Sequence, residues 1–256
     1  MIVKYKESEV FYTDTGKGKS VILLHGFLEN NSMWNAISDQ LSRKNRIITI
    51  DLLGHGKTES IGYVHSMTEM ARAVQIVLKE IGVRKSYFIG HSMGGYVALE
   101  FAKLFPKNVK GLCLMNSTSQ PDSEKRKLIR KEANEIAKKN LERLLQTAIP
   151  NLFIKETKEK YMEEIAEVLQ QAKQTSLRGY IAANEGMMLR VNNEEVLKHI
   201  EKRAIIVGKK DPILNYNSIV EEAKRTATIL VEFPNGHMSH IEDKELLLSF
   251  LKDFLK

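Results

Sequence analysis

Thiols are almost missing from this chain: among 256 residues, Cys113 is the single cysteine. One thiol excludes an intrachain disulfide and fits a reducing compartment. Long apolar runs are missing as well, since no stretch approaches the ~18 consecutive apolar residues of a membrane-spanning helix. The opening MIVKYKESEVFY carries charges inside every apolar stretch and lacks the layout of a secretory leader. Together these absences predict a cytoplasmic protein without a membrane span. There is no internal repeat and no low-complexity linker. His55, His65 and His199 have no neighbours at metal-ligand spacing, so neither a metal nor another cofactor is expected. Recognised nucleic-acid motifs are absent too, although the formal charge is +7.

What is present is an ordinary globular composition, 43% hydrophobic and 28% charged, in a chain long enough to bury a large core. The basic residues alternate with glutamates, as in SEKRKLIRKEANEIAKKN from Ser123 to Asn140. Leu128, Ile129, Ala133, Ile136 and Ala137 recur there at helical spacing, which predicts an apolar inner face and solvated charges outside. No nucleic-acid partner is expected from that pattern, and nothing in it specifies an oligomeric state.

Strand-like runs open the chain at 2–5, 10–13 and 21–24, and a helix is expected over 33–41 before a strand at 46–50. A helix over 68–81 would have Thr68 as its cap and Gly82 as its stop signal. Then come a strand at 86–89, a helix over 93–105 and a strand over 109–115. From about 117 to 188 the pattern is almost entirely amphipathic helix, with Leu141, Leu144, Leu145, Ile149, Tyr161, Ile165, Val168 and Leu169 as apolar positions. Alternation then resumes, with helices at 194–200, 218–225 and 244–254 and strands at 204–207 and 228–233. Strands separated by helices of this length predict a mostly parallel sheet covered on both faces. The expectation is one domain over 1–256, with a helical cap inserted at about 117–188.

Within that order, Gly90-His91-Ser92-Met93-Gly94 falls where a strand turns sharply into a helix. A nucleophilic serine needs such a turn, because it lifts the hydroxyl clear of the sheet and leaves room only for glycine on either side. The amino end of the following helix also favours developing negative charge. A glycine-rich turn with an idle serine would read the same way, so the motif needs partners. A serine hydroxyl is a poor nucleophile without a base, and the base benefits from an orienting carboxylate. Asp211 in GKKDP and His237 in PNGHMSHIED follow the two later strands, giving the chain order Ser92, Asp211, His237. His240 is the rival base, and Asp211 has the alternative of a plain turn residue before Pro212. The loop after 109–115 offers Asn116, Ser117 and Thr118 but no acid. Oxyanion donors are expected from the backbone N–H groups of Phe27, in LLHGF, and Met93. His25 is expected to anchor its loop, His91 to pack beside the nucleophile strand, Trp34 to lie in the core, and Asp51 to shape the DLLGHG loop.

On the segments HGF at 25–27, DLLGHGKTE at 51–59, GHSMGG at 90–95, GKKDP at 208–212 and GHMSHIE at 236–242, the chain resembles the α/β-hydrolase superfamily. The resemblance implies the α/β-hydrolase fold, an eight-stranded sheet with a helical cap between the sixth and seventh strands. It also implies a base directly after its glycine, which selects His237. DLLGHGKTE looks like the menaquinone-pathway lyases of this fold. Those carry tyrosine before the nucleophile and arginine four residues after it to hold an acidic substrate, whereas this chain has His91 and Tyr96. Arg178 and Arg190 are then the candidates for that task from the cap. The leading expectation is a serine hydrolase cleaving small or medium carboxylic esters without a cofactor. The alternatives are a lyase or carbon–carbon hydrolase of the same fold and, less favoured, a non-catalytic ligand-binding member. Phe27, Leu28, Met93, Met187 and Met188 are candidate pocket lining.

Overall fold

Side chains that are apolar on both faces of a strand dictate a sheet covered on both sides. A computed structural model, which describes residues 1–256, has that arrangement. The chain opens with β1 (Ile2–Tyr5), β2 (Ser8–Thr15), β3 (Lys19–Leu24), α1 (Asn35–Leu41) and β4 (Asn45–Ile50). There follow α2 (Met67–Glu80), β5 (Ser86–His91), α3 (Met93–Leu104) and β6 (Val109–Met115). Three helices come next, α4 (Glu124–Ala148), α5 (Met162–Ala172) and α6 (Leu177–Met188). The last part holds α7 (Glu194–Lys198), β7 (Lys202–Gly208), α8 (Tyr216–Thr226), β8 (Ile229–Phe233), α9 (Ser239–Glu242) and α10 (Lys244–Phe254).

The eight strands form one sheet in the order β1-β2-β4-β3-β5-β6-β7-β8. β1 and β2 join antiparallel, while every pairing from β4 to β8 is parallel. Two cores sit on opposite faces. Ile22, Leu24, Phe88, Leu112, Leu114, Ile205 and Val207 face α2, α3 and α8, and the alternate residues Val21, Leu23, Tyr87, Ile89, Cys113, Met115, Ala204 and Ile206 face α1 and α10. This period-two division of central strands fixes their register, because a slip of one residue would exchange the two faces. Each fully buried Leu, Ile or Phe contributes about 1.5–3 kcal/mol relative to exposure.

Two local expectations are corrected. The cap of α2 is Ser66, whose Oγ accepts from the Glu69 N–H at 3.1 Å, whereas the Thr68 hydroxyl donates to Glu100. On α4, Leu128, Ile129 and Ile136 are 59%, 44% and 51% exposed, and the buried positions are Arg130, Asn134, Ala137 and Leu145. The inward face of the first half of α4 is therefore mainly polar. The apolar residues of the other inserted segments do cluster: Leu145, Ile149, Phe153, Tyr161, Val168 and Tyr180 pack with Leu28 and Met238 at the carboxyl edge of the sheet.

Candidate active site

Strand β5 ends at His91, and the chain must reverse into α3 within one residue. Ser92 makes that turn with φ +48° and ψ −112°, outside the usual regions for an L-residue. A Cβ on Gly90 would run into the backbone of Gly94 and Gly95, and one on Gly94 would run into the Leu24 carbonyl. Only glycine lets strand, turn and helix approach so closely. The turn is also tied from outside. The Ser92 N–H donates to the Met115 carbonyl at 3.0 Å, and the Ser117 hydroxyl donates to the Ser92 carbonyl at 2.7 Å. Ser92 itself is half-buried.

Asp211 and His237 meet in the loops after β7 and β8. His237 Nδ1–H donates to Asp211 Oδ2 at 2.8 Å, and both side chains are buried. Asp211 Oδ1 accepts from the N–H groups of Ile213 at 2.8 Å and Leu214 at 3.0 Å. Burial opposes ionisation of this carboxyl, but His237 and the two N–H groups together hold it below its ordinary value. The acid is thus a fixed anion at neutral pH. Asn116, which lies just after β6 with φ +45°, donates from Nδ2 to Asp211 Oδ2 at 3.1 Å and to the Gly236 carbonyl at 3.0 Å. Sequence reasoning passed over Asn116 in looking for an acid. Its position at the carboxyl end of a central strand was the available signal.

At the end of β3, Phe27 precedes Leu28, which takes φ +68°. Neither the Phe27 nor the Met93 N–H is taken by a loop, cap or side-chain acceptor, and Met93 opens α3, where N–H groups have no partner within the helix. The Phe27 ring lies 5.1 Å from Tyr180 of α6, and the His237 N–H donates to the Leu152 carbonyl at 3.4 Å. The inserted helices thus touch both the loop that carries Phe27 and the loop that carries His237. Leu28 is buried in their cluster, Met187 is packed into the larger core, and Met188 is 8% exposed. Arg178 is exposed and donates to the Gly62 carbonyl, while Arg190 lies over the Tyr96 ring and pairs with Asp122 at 2.9 Å.

Beneath the site is a buried group that spacing along the chain did not reveal. Glu29 Oε2 accepts from His91 Nδ1 at 2.6 Å and from the Gly26 N–H at 2.7 Å. His240 Nε2 faces the other carboxylate oxygen at 3.6 Å. Burial works against the Glu29 charge, yet His91 and its hydrogen bond bring the carboxyl down to about 2. Burial pushes His240 down to about 4, so it is neutral near pH 7. Ligand atoms of Glu29, His91 and His240 lie within 4.8 Å of one another, which invites a metal reading. Two donors on one ion at ~2.0 Å each stand roughly 3 Å or more apart. The 2.6 Å contact is instead that of a charge-assisted hydrogen bond. His25 anchors its loop as expected: Nε2 accepts from the Leu52 N–H at 2.9 Å, leaving the proton on Nδ1 for the Gly26 carbonyl at 2.8 Å. Trp34 is fully buried, and Asp51 accepts from the N–H groups of Asn31 and Lys57.

A family model described as alpha/beta hydrolase fold matches residues 19–244. Among solved structures, a thermophilic esterase from Thermogutta terrifontis, solved with malate bound, is 28% identical with a TM-score of 0.92, covering 100% of this chain and 98% of that one. A 2-hydroxy-6-oxononadienedioate/2-hydroxy-6-oxononatrienedioate hydrolase of Paraburkholderia phymatum is 36% identical over 115 residues, 43% of this chain and 40% of that protein. A putative 2-succinyl-6-hydroxy-2,4-cyclohexadiene-1-carboxylate synthase of Bacillus subtilis is 33% identical over 102 residues, 39% of this chain and 37% of that protein. The chain spans less than half the length of these curated relatives.

Proposed function

The chain belongs to the α/β-hydrolase family, and from that premise we propose that it is a serine hydrolase of small or medium carboxylic esters. One observation carries the reading. A strained serine turn at the end of β5 shares the carboxyl edge of the sheet with a buried His237–Asp211 hydrogen bond of 2.8 Å. In this reading Ser92 Oγ attacks the ester carbonyl while His237 Nε2 takes its proton. Asp211 keeps the other imidazole proton on Nδ1 and stabilises the imidazolium. The Phe27 and Met93 N–H groups receive the oxyanion, each contributing roughly 3 kcal/mol to the transition state. His237 then protonates the departing alcohol, and water repeats the cycle on the acyl-enzyme to release the acid. The helices between β6 and β7 act as the cap of a single domain and set which ester enters. A small-molecule ester is the expected partner.

A second reading, a carbon–carbon hydrolase or lyase acting on an acidic substrate, is favoured by Arg126. Its guanidinium has no hydrogen-bond or ion-pair partner, and it lines a cavity of about 660 Å³ together with Tyr96, Arg130 and Arg190. The names of the two curated relatives both describe carboxylates. A substrate panel decides between the readings: neutral p-nitrophenyl esters, carboxylate-bearing esters, vinylogous diketones and the menaquinone precursor. Turnover of the esters alone supports the first reading, and turnover of the diketones or the precursor alone overturns it. Labelling by a fluorophosphonate probe that is lost in Ser92→Ala is expected under the first reading. No labelling of the wild-type protein, with no turnover of any compound, would point to a ligand-binding role.

A further inference from the structure

His91 stands directly before Ser92 on β5 and is fully enclosed. Its Nδ1 meets Glu29 Oε2 at 2.6 Å, and its Nε2 meets the main-chain carbonyl of His237 at 3.0 Å. A carbonyl oxygen only accepts, and so does an ionised carboxylate. Both ring nitrogens therefore face acceptors, and both contacts are hydrogen bonds only when each nitrogen carries a proton. We propose that His91 is a positioning residue, held as an imidazolium between Glu29 and the His237 carbonyl, which latches the base loop to the nucleophile strand.

The same carboxylate ties in a third piece. Glu29 Oε2 also accepts from the Gly26 N–H, one residue before Phe27. One buried ion pair thus joins the Phe27 loop, the strand that ends at Ser92 and the loop of His237. The remaining titratable groups around His91 are accounted for. His25, at the end of β3, is neutral because its Nε2 accepts from Leu52. His240 is neutral through burial, and its ring lies 5.4 Å from that of His91. The His237 ring is 5.1 Å away, and Asp211 adds a distant favourable negative charge. Burial disfavours the His91 charge, but Glu29 outweighs it and holds the imidazolium above its ordinary value of 6.5. A group raised in this way keeps its proton below pH 6.5 and loses it as pH climbs through the folded value. On losing it, His91 keeps one bond and gives up the other, so the base loop loosens on the alkaline side.

The proposal rests on the serine-hydrolase reading only for its activity readout. Nitrogen-15 NMR of the histidine rings, with His91→Asn used for assignment, reads the protonation state without reference to any substrate. Both His91 nitrogens are expected to be protonated at pH 7, and a single protonated nitrogen there overturns the proposal. The second measurement is kcat/KM against pH for the wild type and Glu29→Gln. A neutral amide at position 29 removes the charge that holds the second proton on the His91 ring. The wild type is expected to lose about tenfold per pH unit above the His91 value, and the variant to lose that limb. An alkaline limb unchanged in Glu29→Gln also overturns the proposal. Should no ester be turned over, the ring nitrogens still decide, and only the functional reading falls.

Discussion

Along β5 and the inner part of β7, which lead to Ser92 and Asp211, the side chains are apolar on both faces. Along the first half of α4, the side chains turned inward include Arg130 and Asn134. The two regions wall the same edge of the sheet by opposite means. In the sheet, register follows from burial alone, because every polar slip would cost free energy. In the helical insertion, orientation follows from a buried polar network. Arg130 donates to Asp122 at 2.6 Å and to Asn184 at 2.9 Å, Asn184 donates to Asn134 at 2.8 Å, and Asn134 donates to Glu185 at 2.8 Å. Arg190 completes the arrangement on the second oxygen of Asp122 at 2.9 Å. A network of this kind defines one helix orientation as firmly as an apolar stripe, provided its members are satisfied.

The largest effect is expected on the sheet side, and it is chemical. His237→Ala should cut ester turnover by about 10⁴-fold or more, whereas His240→Gln should stay within roughly tenfold of wild type. Both variants should remain folded at the assay temperature. Steady-state kinetics beside thermal melts checks this, and the reverse ranking would make His240 the base.

On the insertion side the largest effect is on stability. Asp122 holds two guanidinium groups whose side chains are 10% and 5% exposed. Asp122→Ala leaves both cations buried without a counter-ion, at a cost of about 3–5 kcal/mol. Urea denaturation would measure it. A loss below about 1 kcal/mol would mean that the network does not orient α4.

Acid should separate the regions differently. Burial would raise the Glu29 carboxyl, yet the pair with His91 lowers it from 4.5 to about 2. A depressed carboxyl contributes stability that is complete above its unfolded value and drains as pH falls through the folded one. Melting temperature should therefore decline between pH 4.5 and 2, and Glu29→Gln should flatten the decline. Parallel curves for the two proteins would remove Glu29 from the acid limb.

The strand ends were legible because alternation and glycine spacing carry steric meaning without any knowledge of partners. Gly90 and Gly94 could be assigned a close approach from sequence, and the structure contains one. Asn116 and Glu29 were not legible, since each acts through a residue far along the chain, 95 positions for Asn116–Asp211 and 62 for Glu29–His91. The inward face of α4 departs from its apolar spacing for a related reason. Helical spacing reports where apolar residues recur. Only the partners Asp122, Asn184 and Glu185 decide which face turns inward.

The smallest effect tests that correction most directly. Were Leu128 and Ile136 buried, as their spacing predicts, their replacement by a polar residue would cost about 2–5 kcal/mol each. At 59% and 51% exposure they have little packing to lose. Leu128→Gln and Ile136→Gln should each change stability by no more than about 0.5 kcal/mol. Glutamine is itself a good helix former, so propensity should not obscure the result. Two near-neutral variants beside a costly Asp122→Ala would establish that α4 is held by its polar face. A loss of 2 kcal/mol or more at either leucine or isoleucine position would turn the helix around and restore the apolar stripe as its inner surface.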